Sequence, residues 1–278
     1  MEKIKITVLE CGSVSLRPRE AYIKDGSLLS PRTKLPVNVF LIEHPAHGRI
    51  LVDTGWSYDV NDILPERLRN FYRPEIRDGE SAKDRLAALG ISPSGIDTVL
   101  LSHLDVDHTC ALGDFAGKAG RIVCSELEYF YSCRTVYKLR QVWDTWMPFV
   151  SAENRISYRA SVLGPVGRGF DLFGDDSVLC IYTPGHTDGS FTIIVNSGQS
   201  NRFKAHGDGL YGGDFAVLAC DNAFSQRNID GGIVPGYGFD RKQQANALNF
   251  LKNLQSDPHH QVTLFSHSPF PSVCVTLG

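Results

Sequence analysis

Between residues 102 and 108 the chain reads Ser-His-Leu-Asp-Val-Asp-His, with four metal-binding side chains, His103, Asp105, Asp107 and His108, inside six residues. The apolar run Ile96 to Leu101 before it reads as a buried strand that ends in a loop. In extended backbone, side chains alternate sides, so His103, Asp105 and Asp107 project the same way. His108 joins them only if the backbone turns there, as it would at the start of a helix. Left without partners, two carboxylates and two imidazoles would have to remain in water or shift their pKa values. The segment is therefore either a metal centre or a polar, solvated loop.

Three later segments repeat the arrangement of a metal-binding residue just after an apolar strand. Thr183-Pro184-Gly185-His186-Thr187-Asp188-Gly189 follows a strand ending at Tyr182, Asp221 follows Ala216 to Cys220, and His267 follows Val262 to Ser266. Loops at one edge of a sheet can meet in space although distant in sequence. Each segment alone is weak, but their common placement favours a shared site.

The elements that must position these loops form two sets. Strand-like runs at Ile4 to Leu9, Val37 to Glu43, Arg49 to Val52, Thr98 to Leu101 and Arg121 to Cys124 make the first, with a helix over Ser81 to Leu89 closed by Gly90. The second set runs Val178 to Tyr182, Phe191 to Asn196, Phe215 to Cys220 and Val262 to Phe265, with a helix from about Asp240 to Leu254. The pattern is that of an α/β protein built from two sheet-containing halves in one continuous domain, residues 1–278. Between the halves lies an aromatic-rich segment, Glu126 to Val150, in which Val136, Leu139, Trp143 and Trp146 fall on one face of a helix. Such a helix either buries that face in the core or caps an apolar substrate pocket lined by Trp143 and Trp146.

Composition narrows the class. With 278 residues, 42% of them hydrophobic and 21% charged, the chain reads as an ordinary globular protein. A net charge of -3 without a Lys/Arg cluster argues against nucleic acid and anionic lipid as partners. The alternating N-terminus lacks a signal-peptide core, and no stretch is long enough to span a membrane. Seven cysteines, an odd number with no C-x-x-C pair, point to a reducing compartment, hence the cytoplasm. Cys110 and Cys220 lie beside the candidate ligands but read as buried small hydrophobes.

Taken in order, HxDxDH (103 to 108), TPGHTDG (183 to 189), Asp221 and Ser266-His267, with the upstream Asp53-Thr54-Gly55 turn, the chain resembles the metallo-β-lactamase superfamily. Within it the chain is most similar to the N-acyl homoserine lactonase group, through Ile42-Glu43-His44-Pro45, Ile50 to Trp56 and the tail from Asp221. The resemblance spans about residues 35 to 270 and is poorest over an insert at about 125–175. It implies a four-layer αβ/βα sandwich with two divalent metal ions between the sheets, zinc first. His103, Asp105 and His186 would hold one, Asp107, His108 and His267 the other, and Asp221 would bridge them. A metal-bridging hydroxide would open a lactone or related small-molecule ester, with Asp107 shuttling the proton to the leaving oxygen. Oligomeric state is left open, a homodimer included.

Two departures stand out. Most hydrolases of the superfamily have His where this chain has Asp105. Asp105, Asp107, Asp221 and a hydroxide would cancel the charge of two divalent ions, weakening Lewis acidity and shifting preference toward manganese or iron. A carboxylate there also resembles the superfamily's di-iron oxidoreductases, which would need a separate electron donor. A non-catalytic member that binds metal or ligand is a third reading. The second departure is Phe224, a substrate-binding candidate three residues after Asp221, where several lactonases have a Tyr that supports the substrate carbonyl. Phe cannot donate a hydrogen bond; Tyr182, Tyr211 or Tyr237 could stand in. His44, His47, His259 and His260 read as solvated loop, and His206 lies beside the hairpin-like Gly207-Asp208-Gly209.

Overall fold

The central strands of this protein are buried on both faces, and their side chains divide between an inner and an outer core by simple alternation. The computed structural model describes residues 3–22, 29–197, 213–270 and 274–278. The first sheet contains β1 (Ile4–Leu16), β2 (Thr33–His44), β3 (Gly48–Val52), β4 (Thr98–Leu101), β5 (Arg121–Ser125) and β6 (Arg155–Ile156). The second contains β7 (Arg159–Ala160), β8 (Arg168–Asp171), β9 (Val178–Tyr182), β10 (Phe191–Asn196), β11 (Phe215–Leu218) and β12 (His260–Leu264). The last strand, β13 (Cys274–Leu277), returns to the first sheet, giving the orders β13-β1-β2-β3-β4-β5-β6 and β12-β11-β10-β9-β8-β7.

Ile6, Phe40, Ile42, Ile50, Val52 and Leu100 of the first sheet meet Cys180, Phe191, Ile193, Val195 and Leu218 of the second in the central core. The alternate residues, Leu41, Leu51, Val99 and Leu101, point outward onto Ala82 and Leu86 of the helix Ala82–Ala87. On the other side Leu179, Ile181, Ile194 and Val217 pack on Leu248, Leu251 and Leu254 of the helix Arg241–Gln255. Each of those leucines contributes about 1.5–3 kcal/mol by leaving water. The result is helix, sheet, sheet, helix: the expected four-layer sandwich. Both helices start as read, with Ser81 and Asp240 accepting the first free backbone N–H groups.

Two expectations are corrected. The first strand does not stop at Leu9: it continues to Leu16 past a register shift between Glu10 and Ser13, where Gly12 takes φ +85°. The segment after β5 is not one helix. A helix Glu126–Ser132 is followed by 3-10 turns at Thr135–Leu139 and Trp143–Thr145, then by the short edge strands β6 and β7 and by β8. Val136 and Leu139 are exposed, whereas Trp146 is fully buried, so the supposed helical face does not exist. Backbone extension at Val142 (φ -115°, ψ 106°) breaks the helical path.

Candidate metal centre

The loops after β4, β9, β11 and β12 meet at one place between the two sheets. After β4 the chain runs extended through Asp105 (φ -65°, ψ 152°) and turns into the short helix Val106–Thr109, so His108 swings round to join the other three side chains. His186 is delivered by a tight turn at Gly185, φ +132°, where a Cβ would lie 2.5 Å from the backbone nitrogen of Gln244. Asp221 sits in the single 3-10 turn Cys220–Asn222 that ends β11. The loop carrying His267 is tied to β2 by Asn38, whose Nδ2 donates to the carbonyls of Phe265 (2.9 Å) and Ser268 (2.7 Å).

Two trios result, all six side chains buried: His103 with Asp105 and His186, and Asp107 with His108 and His267. In the first, Asp105 Oδ2 lies 3.5 Å from His103 Nε2 and 3.2 Å from His186 Nε2. In the second, Asp107 Oδ2 lies 3.5 Å from His267 Nε2 and 3.8 Å from His108 Nε2. Asp221 reaches both, 3.4 Å from His186 Nε2 through Oδ2 and 3.3 Å from His108 Nε2 through Oδ1. Ligands at about 2 Å from a shared tetrahedral ion stand about 3.3 Å apart, which is the spacing found here.

Hydrogen bonds set the tautomers. His108 Nδ1 donates to Asp53 Oδ2 at 2.8 Å and His267 Nδ1 to the Pro36 carbonyl at 2.9 Å. His103 Nδ1 lies 3.0 Å from Ser102 Oγ, whose own proton goes to Asp53 Oδ2 at 2.7 Å. In each ring the Nε2 lone pair is left facing inward. His103 Nε2, His108 Nε2, Asp105 Oδ1 and Asp221 Oδ1 are buried without a hydrogen-bond partner. Buried polar atoms are normally satisfied, and four orphans contributed by the loops after β4 and β11 fit divalent cations.

The charges answer one another. Burial alone would push Asp221 up, but His267 and His108 hold it well below the usual carboxylate range. Burial raises Asp107 above that range. His186 is brought down to about 4, by burial and then by the charge of Arg140.

Two residues absent from the sequence reading complete the centre. Glu128, fully buried, accepts from the backbone N–H of Leu104 (3.0 Å) and Gly189 (3.0 Å) and from Thr187 Oγ1 (2.7 Å). It thereby clamps the HxDxDH loop to the TPGHTDG loop. Its signal, Ser125-x-x-Glu128, has the form of a helix capping box. Ser125 does cap the helix, while Glu128 turns inward instead. Arg140 lies against Asp105 and His186. Its only signal was indirect: a carboxylate at position 105 calls for a nearby cation.

A narrow cavity leads to the centre, walled by Val14, Leu16, Phe71, Tyr72, Phe224 and Tyr237. Phe224 stands beside the site, its ring 4.8 Å from that of His267. Trp143 and Trp146 do not line this cavity. Trp146 is buried beneath the first sheet with its ring 5.3 Å from Tyr129, and Trp143, half-buried, donates from Nε1 to the Ser132 carbonyl. Their size and the absence of a continuous helix send them into the core. Tyr182 donates to the Asp188 carbonyl, and Tyr211 and His206 lie outside the described residues. His44 is buried rather than solvated: its Nδ1 accepts from the N–H groups of Ala46 and His47, and His47 pairs with Asp175 at 2.8 Å.

Residues 32–258 match the sequence profile of the metallo-beta-lactamase superfamily. The chain belongs to that superfamily. Its sandwich is the metallo-beta-lactamase fold: a solved N-acyl homoserine lactone hydrolase, with N-hexanoyl-L-homoserine at its catalytic metal center, superposes with TM-score 0.72 at 21% identity, over 96% of this chain and 94% of that one. The dizinc quorum-quenching lactonase AidC superposes with TM-score 0.64 at 16% identity, over 100% of this chain and 90% of that one. Among curated relatives, the N-acyl homoserine lactonase AttM of Azorhizobium caulinodans is 26% identical over 97% of this chain and 95% of its own length. The lactonase of Bacillus cereus is 24% identical over 82% of this chain and 78% of its own. This metallo-beta-lactamase-superfamily chain thus covers almost the whole length of the relative from Azorhizobium.

Proposed function

We propose that this protein is a dinuclear metal-dependent hydrolase that opens lactones or related small-molecule esters. The observation that carries the reading is the pair of buried trios joined by Asp221, with orphaned nitrogen and oxygen atoms facing inward. His103, Asp105 and His186 would hold the first ion and Asp107, His108 and His267 the second, with Asp221 within reach of both. Bound there, two divalent ions acidify water and polarise the substrate carbonyl. Each trio offers two imidazoles and one carboxylate, a set that suits zinc, and the third carboxylate of the whole centre moves preference toward manganese or iron.

Asp107 lines the cavity, where its carboxylate could pass a proton to the alkoxide that leaves when the ring opens. Val14, Leu16, Phe71 and Phe224 give the substrate an apolar wall, which fits an acyl substituent better than a charged one. The lactonases among the relatives support this substrate class. Seven unpaired cysteines support a reducing compartment such as the cytoplasm, and no helix among the described residues is long and apolar enough to cross a membrane.

Elemental analysis of protein purified without added metal, paired with pH-stat assays of acyl lactones of graded chain length, tests the reading. Two metal equivalents are expected, with ring opening lost on chelation and restored by zinc. Metal-replete protein that opens no lactone, ester or thioester overturns it.

A further inference from the structure

Arg140 is held at the first trio more tightly than a surface arginine could be. Its Nε donates to Asp105 Oδ2 at 3.0 Å and its Nη2 donates to the same oxygen. Nη1 donates to the His186 carbonyl at 2.9 Å, and Nη2 lies 2.5 Å from His186 Nε2. The guanidinium carbon stands 5.2 Å from the centre of the Phe239 ring, and 12% of the side chain is exposed. Nearly every N–H of the fork is therefore committed to two members of the first trio, the departing Asp105 and the ordinary ligand His186. Little of it remains to grip a substrate anion.

Charge counting gives this contact a meaning. Two divalent ions, a hydroxide and the carboxylates of Asp105, Asp107 and Asp221 sum to zero. Adding the guanidinium returns the centre to one net positive charge, the value it would have with a neutral histidine at position 105 and no arginine. We propose that Asp105 and Arg140 work as one unit that takes the place of a single histidine ligand: the carboxylate supplies the donor atom, and the guanidinium cancels its charge and fixes its orientation. The pair rests on the dinuclear reading above and explains how a third carboxylate is accommodated without making the centre neutral. Arg140 is a positioning residue in this scheme, acting through Asp105. The 3-10 turns of the 125–150 segment acquire a purpose, since they aim a basic residue inward where a regular helix would not.

A charge-swap cycle tests the pair: wild type, Asp105→His, Arg140→Gln and the double variant, each stripped of metal and titrated with zinc against a chromophoric chelator. Asp105→His alone leaves a buried guanidinium facing the ion and should weaken the first zinc by about tenfold or more. The double variant should recover wild-type affinity within about threefold, because the neutral histidine no longer needs the cation. Arg140→Gln alone should keep two zinc equivalents, the first held at least as tightly as in wild type. Thermal midpoints of the metal-free proteins give a second readout: both single variants fall, and the double lies above either. A single variant that fails to fold while the double folds and takes two zinc ions supports the pairing equally.

Independent effects of the two substitutions on affinity and midpoint, in a wild type that takes two zinc ions, overturn this inference alone. A wild type that takes fewer than two overturns the dinuclear reading and the inference with it.

Discussion

Asp53 shows how much of the centre depends on a residue that is not itself a ligand. Its two oxygens accept from the Ser102 backbone N–H (2.8 Å), Ser102 Oγ (2.7 Å) and His108 Nδ1 (2.8 Å), which orients two of the four histidines at once. To do so it adopts φ +64°, a conformation unfavourable for a side chain with a Cβ. Asp53→Asn presents an amide N–H₂ where at least one donor must be accepted. We expect zinc affinity to fall by about 10–100-fold while the far-ultraviolet circular dichroism is retained; unchanged zinc retention after dialysis against a chelator would refute the role. Phe224 is the complementary case. Its ring stands over His186 and His267 at 6.2 and 4.8 Å but offers no donor. Phe224→Tyr adds a hydroxyl above the centre and should raise kcat on lactones by about tenfold, provided the new O–H reaches the developing oxyanion. A flat or lowered kcat would mean that the carbonyl is already supported elsewhere.

Among the elements, the helix Glu126–Ser132 links the two halves of the site. Through Glu128 it joins the loop after β4 to the loop after β9, and Ser132 Oγ adds a longer bond of 3.4 Å to the same carboxylate. Glu128→Gln cannot satisfy this arrangement, because either orientation of the amide turns its N–H₂ toward backbone N–H or hydroxyl donors. The expected loss is about 1–3 kcal/mol of stability, read by urea denaturation of metal-free protein, with weaker zinc binding in parallel; stability equal to wild type would show that the clamp carries no weight. The central strands and the two main helices were legible because their patterns are strong: two buried faces for strands such as β4, β9, β10 and β11, and capped amphipathic stretches at Ala82–Ala87 and Arg241–Gln255. The Val136–Trp146 stretch misled because steps of three and four in apolar residues also arise in consecutive 3-10 turns. There the demands of Trp146 for the core and Arg140 for the centre override local periodicity.

At the scale of the whole molecule, β13 closes the first sheet against β1, so the two ends of the chain share one sheet. All seven cysteines are unpaired, but their chemistry is divided by burial: Cys11, Cys110, Cys124, Cys180 and Cys220 lie inside, while Cys133 and Cys274 are exposed. Burial pushes the Cys110 thiol up to about 12, so neither this residue nor its buried counterparts will supply thiolate at neutral pH. Titration of the native protein with a thiol reagent should modify Cys133 and Cys274 rapidly and the other five only after unfolding. Fast modification of Cys110 or Cys220, the two beside the metal loops, would show that the centre opens to solvent.

Residue type and spacing by themselves determined the superfamily, the candidate ligands and the strands that carry them. Ligand identity is local chemistry, and buried strands announce themselves as apolar runs. Only the tertiary structure decided what surrounds those ligands. Arg140 lies 35 residues from Asp105, and Glu128 lies 61 residues from Gly189. No periodicity links such partners, because their meeting depends on how two sheets pack and where irregular turns point. Charge balance, tautomer and the walls of the cavity are properties of that packing.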